Sequence, residues 1–165
     1  MNQGLEPVFG AAELEQIIAV AQRRFRGNMS LSLTSLERYV EGFRINLRLD
    51  WTGPTGHVPR LTWRATDAQS TSYGCLGCGG TGAGQPLGAD RSVGADYAHT
   101  WRMTCSFDRA IPDDAREVLL SCVVNLSRPA SGQQPGMDHP WERSAEDWEI
   151  GSFTVQIDHR QGSSS

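Results

Sequence analysis

The sequence predicts an all-β chain folded as a two-layer antiparallel β-sandwich, immunoglobulin-like, with about seven strands and two long loops. Three observations predict it. From Phe43 to Trp51 the chain reads FRINLRLDW, with Phe43, Ile45, Leu47, Leu49 and Trp51 on one parity and Arg44, Asn46, Arg48 and Asp50 on the other. That alternation marks a strand with one buried and one solvated face. The same period of two returns at Met29–Leu33, Leu61–Ala65, Tyr97–Phe107 and Phe153–Ile157. Finally, 18 Gly and 8 Pro favour turns, and nothing in the spacing suggests the βαβ units of a parallel sheet. A barrel is the competing closure of the same strands.

In chain order, residues 1–13 read as a loop or short helical turn. LEQIIAVAQRRF supports two assignments: Leu14, Ile17, Ile18, Ala21 and Phe25 fit a helical stripe, whereas IIAVA fits a buried first strand, the one favoured here. A turn at Arg26–Asn28 leads into a strand from Met29 to Leu36, and Glu41-Gly42 connects it to the strand at Phe43. Thr52–Pro59 is a loop, followed by a strand from Leu61 to Tyr73 whose later half is polar. Gly74–Asp96 is rich in Gly and too long for a hairpin loop of about two to five residues, so it reads as disordered or as a binding element. Strands resume at Tyr97–Phe107 and, after a Pro-Asp-Asp turn, at Val118–Leu126. A second long polar segment, Ser127–Trp148, precedes the last strand, Ile150–Ile157. Residues 14–158 form one domain on this reading, with 159–165 a flexible tail.

LEQIIAVAQ, MSLSLTSLERYVEGFRINLRLDW, WRATDAQSTSY, the Gly-rich insert, WRMTCSFDRAIPDDAREVLL and the closing FTVQI together resemble an immunoglobulin-like β-sandwich domain of uncharacterised proteins from high-GC bacteria. The resemblance spans about Leu14 to Ile157 and implies a bacterial origin, the sandwich fold and a Gly-rich insert at this place. It implies no catalytic residues.

The chain has 165 residues, enough for one domain with a sizeable core. Net charge is −4, so no overall basic field points to nucleic acid or an anionic membrane. All 15 basic residues are Arg, which excludes Schiff-base chemistry and a Walker lysine. It also means that sheet edges are not guarded by Lys, leaving Arg, Pro, irregular loops or a partner to protect them. The N-terminus carries Glu6, Glu13 and Glu15 where a signal peptide avoids acids, and no stretch has the apolar length of a membrane span. A cytoplasmic location is the expectation.

The sharpest local signal is Cys75-Leu76-Gly77-Cys78, a CxxC in a Gly-rich setting. It suits one zinc ion, with His57, His99 or an intersubunit ligand completing the site, or a reversible vicinal disulfide, or no site at all. A thioredoxin-type motif would need a helix N-terminus, which the flanking glycines do not offer. Cys105 and Cys122 lie on apolar parities and read as buried thiols. His57, His99, His139 and His159 are scattered, with no paired ligand spacing. Gly79–Gly84 lacks either phosphate-binding fingerprint, and no GxSxG elbow occurs. Asp113-Asp114 and Glu146-Asp147 are paired acids in turn-rich segments.

Two constellations suit a protein partner. Arg44, Arg48, Arg64 and Arg102 fall on outward parities and suit an acidic surface; Trp141 and Trp148 stand in an acidic segment and suit interface anchors. The expectation is a non-enzymatic binding or assembly module with no cofactor, acting on a protein partner or as a homo-oligomer, with neither nucleic acid nor membrane. The alternatives are a zinc-binding or redox-responsive domain using Cys75 and Cys78, and an enzyme of unknown class.

Overall fold

Alternation of buried and exposed side chains organises the computed structural model, which describes residues 13–54, 56, 58–89, 96–129, 141–143 and 148–158. In chain order the strands are β1 (Leu14–Arg26), β2 (Met29–Tyr39), β3 (Phe43–Gly53), β4 (Val58–Asp67), β5 (Ser72–Tyr73), β6 (Cys75–Pro86), β7 (Tyr97–Phe107), β8 (Glu117–Pro129), β9 (Trp141–Arg143) and β10 (Trp148–Gln156). One sheet runs β1-β2-β3-β7-β6 and the other β10-β8-β4-β5, with β9 paired to β8. All pairs are antiparallel. The two-layer antiparallel sandwich is therefore the fold. Among the described residues no helix is long and apolar enough to cross a membrane.

The parity of FRINLRLDW translates directly into packing. Phe43, Ile45, Leu47, Leu49 and Trp51 are all buried, and they meet Leu31, Leu33 and Leu36 of β2 and Val118, Leu120, Cys122 and Val124 of β8 in one core. Each fully buried large apolar side chain contributes about 1.5–3 kcal/mol. Phe43 stacks on its cross-strand partner Phe107 at 4.4 Å and meets the edge of Tyr73 at 5.3 Å.

The strand favoured for the first segment is present as β1, Leu14–Arg26; a register shift between Ala19 and Gln22, where Ala21 takes φ 51°, interrupts its stripe. Two points differ from the sequence expectation, and with the short β9 they raise the strand count from about seven to ten. The strand expected over Leu61–Tyr73 breaks after Asp67, whose carboxylate accepts hydrogen bonds from the backbone N–H groups of Gln69 and Thr71 and from the Tyr73 hydroxyl. These close a turn and return the chain as β5. The larger correction is the Gly-rich insert, whose first half is strand β6 rather than a loop.

Residues 1–12 and 159–165, for which a loop or helical turn and a flexible tail are expected, and His57, His139, His159, Glu146 and Asp147 lie outside the described residues. The same holds for most of Ser127–Trp148, of which only the ends of β8 and β10 and the short β9 are described.

Candidate functional site

Strand β6, CLGCGGTGAGQP, closes one side of the five-stranded sheet. Glycine contributes no hydropathy, so an alternation test finds nothing here, yet the period of two is present. Gly80, Gly82 and Gly84 stand opposite Met103, Trp101 and His99 of β7. A methyl group on Gly82 would come within 2.3 Å of the Trp101 indole, and one on Gly84 within 2.9 Å of the His99 ring. The large side chains of β7 thus lie across the bare backbone of β6, and only glycine admits that approach. The signal available in the sequence was the pairing of GxGxG with HTWRM, which becomes visible only once the two segments are aligned.

The outer edge of β6 pairs with no strand among the described residues. The strand is twelve residues long, most of it exposed, and carries no charged side chain. Leu76 and Leu87, near its two ends, are exposed by 53% and 59%.

Register in β6 slips once, between Cys75 and Gly77. On a regular strand residues three apart face opposite sides. The extra residue at Leu76 cancels that, so Cys75 pairs with Phe107 and Cys78 with Cys105, both on the inner parity. Cys78 and Cys105 form a disulfide, and the free Cys75 Sγ lies 3.9 Å from Cys78 Sγ. Cys105 is buried as expected, but its sulfur is bonded rather than a free thiol; Cys122 is both buried and free. Burial pushes the Cys75 thiol above its ordinary pKa against an opposing hydrogen bond from the Gly77 backbone. Burial also pushes Cys122 up, and the nearby Cys75 charge adds to that. Among the described residues no group of three or more His, Cys, Asp or Glu is placed to hold a metal ion.

The arginines divide. Arg44, Arg48 and Arg102 share the outer face of the five-stranded sheet, with Arg48 directly opposite Arg102; Arg64 lies on the outer face of the other sheet, opposite Ser121. Arg48 bonds Asp50 through Nε at 2.9 Å, Arg23 reaches the same carboxylate at 3.7 Å, and Thr100 donates to it at 2.7 Å. Burial acts to raise the Asp50 pKa, but those hydrogen bonds and charges outweigh it and hold the carboxyl below its ordinary value. Arg44 lies over the Tyr39 ring at 5.0 Å. Arg102 has no ion pair among the described residues.

His99 is a satisfied core residue: it stacks on Trp51 at 4.7 Å and bonds the Gly53 carbonyl through Nε2. Asp113 accepts from Arg38, and Asp114 accepts from Gln69, so the paired acids serve surface contacts. Nothing in the alternation marks Arg38 as the buried side chain that it is. It donates to the Ile111 carbonyl, to Asp113 and to Gln16, tying β2 and β1 to the connection between β7 and β8. Trp141 and Trp148 open β9 and β10, and the positions of their rings fall outside the described residues.

No family model matches the chain, and no curated protein matches it. Among solved structures it is similar to the conserved domain protein from Bacillus anthracis, at 14% identity and a TM-score of 0.47, over 87% of this chain and 48% of that one. The chain thus spans about half the length of that protein.

Proposed function

We propose that the chain is a non-enzymatic binding or assembly module that works by strand addition at the outer edge of β6, with a second copy of the chain as its partner. One observation carries this reading: a twelve-residue edge strand with no charged side chain and, among the described residues, no strand beyond it. An open edge offers a row of backbone donors and acceptors, and natural sheets ordinarily block such an edge with charge, proline or a bulge. Proline stands only at the last residue of β6 and the bulge only at its start, so Cys78–Gln85 is left unguarded. A second β6 is itself an uncharged extended segment, and antiparallel pairing about a two-fold axis brings no like charges together.

Sedimentation velocity over a range of concentrations tests the reading, with a dimer expected. Thr81→Glu is the matched variant. It sets a carboxylate opposite Arg102 within the chain, which is favourable, and sets two carboxylates near one another in the pair, which is not. It should sediment as a monomer, and mixing it with Thr81→Arg should restore a dimer. Wild-type protein that stays monomeric at every concentration, or a Thr81→Glu variant that remains dimeric, overturns the proposal.

A further inference from the structure

We infer that Cys75, Cys78 and Cys105 form an internal thiol–disulfide exchange site, in which the Cys75 sulfur displaces Cys105 from Cys78. The inference stands on the sulfur geometry and is independent of strand addition. In the structure the bond joins Cys78 to Cys105, across the β6–β7 pair. The third sulfur, on the exposed Cys75, lies 3.9 Å from Cys78 Sγ and is not part of a disulfide. Exchange needs only that a thiolate reach one sulfur of a disulfide. The bulge at Leu76 provides that reach by turning Cys75 to the same side as Cys78.

The step balances without an outside oxidant or reductant. The Cys75 thiol loses its proton to solvent, and its sulfur bonds to Cys78 Sγ as the Cys78–Cys105 bond breaks. The electron pair of that bond leaves on Cys105 sulfur, which takes up a proton. One disulfide and one thiol are present before and after. The two isomers differ in what the disulfide holds: Cys78–Cys105 fastens the edge strand to its neighbour, whereas Cys75–Cys78 closes a small loop within β6 and frees a buried thiol. Cys105 has no exposed surface, which disfavours its thiolate as a leaving group and keeps the stapled isomer populated. Cys122, the other free thiol, is buried on β8 in the opposite sheet.

The two linkages are distinguishable by peptide mapping. Cleavage after Arg64, Arg91, Arg102 and Arg109 places Cys75 and Cys78 together in residues 65–91 and Cys105 alone in residues 103–109. Full-length protein is equilibrated in a glutathione redox buffer, its free thiols are blocked with N-ethylmaleimide, and it is digested with trypsin. The stapled isomer yields 65–91 linked to 103–109. The exchanged isomer yields an internally bridged 65–91 and a blocked, unlinked 103–109. Both are expected from wild-type protein, and Cys75→Ser should lower the yield of unlinked 103–109 at least tenfold. A Cys75→Ser variant with the same yield of unlinked 103–109 overturns the inference. So does wild-type protein in which 65–91 is never internally bridged after prolonged equilibration, or in which 103–109 is never linked at all.

Discussion

The two outer strands of the five-stranded sheet, β1 and β6, meet the same physical problem and treat it in opposite ways. Strand β1 carries Glu15, Arg23, Arg24 and Arg26, and its register is broken at Ala21. Its inward side chains also reach across the sandwich to the backbone of β10: Gln22 donates to the Thr154 carbonyl at 2.6 Å, Arg24 to Ser152 at 2.8 Å and Arg26 to Glu149 at 2.7 Å. Arg24 in addition lies over the Phe153 ring at 5.1 Å. Strand β6 has no charge and no bulge beyond Leu76, and among the described residues no side chain of it donates across to the other sheet. With no Lys in the chain, guarding an edge falls to Arg, and the structure places that protection on one side only. The difference teaches that an open edge here is a property of β6 in particular and not a general consequence of the composition.

Four variants break or sharpen this contrast. Gly82→Val has the largest expected effect: its side chain must displace the Trp101 ring, and overpacking of this kind costs about 3 kcal/mol. Thermal unfolding should show a Tm lower by roughly 6–12 °C at about 2–4 °C per kcal/mol for a chain of this size. Second, replacing Gln22, Arg24 and Arg26 together by Ala removes three side-chain bonds to β10 at about 1 kcal/mol each, measurable by urea unfolding. An unchanged midpoint would mean that β1 is held by its pairing to β2 alone.

Third is Asp67→Asn, at the corner that delivers the chain into β6, with an expected loss of about 1–2 kcal/mol at neutral pH. Burial tends to raise the Asp67 pKa, but hydrogen bonds from Thr71, Tyr73 and Gln69 more than offset this and leave it lowered. A depressed folded-state pKa gives stability that is complete above the ordinary carboxylate value of about 3.9 and is lost as pH falls through the lower folded value. The difference in Tm between wild type and Asp67→Asn should therefore shrink as the pH is lowered below about 4; a difference that stays constant would remove Asp67 from the acid response. Smallest is Thr81→Glu, an exposed position, with a stability change within about 0.5 kcal/mol. Its interest is that a nearly silent change in stability should abolish self-association.

Where hydropathy varies along a strand, the sequence carried the fold. FRINLRLDW placed the core face of β3, and the same parity placed Cys105 and Cys122 inside the sandwich. It failed at β6 because glycine is invisible to hydropathy, and because the partners that make sense of it, His99, Trp101 and Met103, lie far along the chain. It failed again where a strand changes phase. Leu33 and Leu36 are both buried on β2 because the register shifts between Leu33 and Ser35, and beyond that shift the same face receives Arg38, a charged residue within the protein. The four arginines read as outward-facing, and all four are; parity does not reveal that Arg64 belongs to the opposite layer.

The single extra residue at Leu76 also changes what a CxxC means. On a helix such a pair sits on one face by the helical period, and in a tight turn the chain folds around a shared ligand. On an unbroken strand the two sulfurs would be separated by the thickness of the sheet. A bulge restores them to one side without helix or turn, so deletion of Leu76 would be a phase change: it would carry Cys75 to the solvent face while leaving Cys78 opposite Cys105.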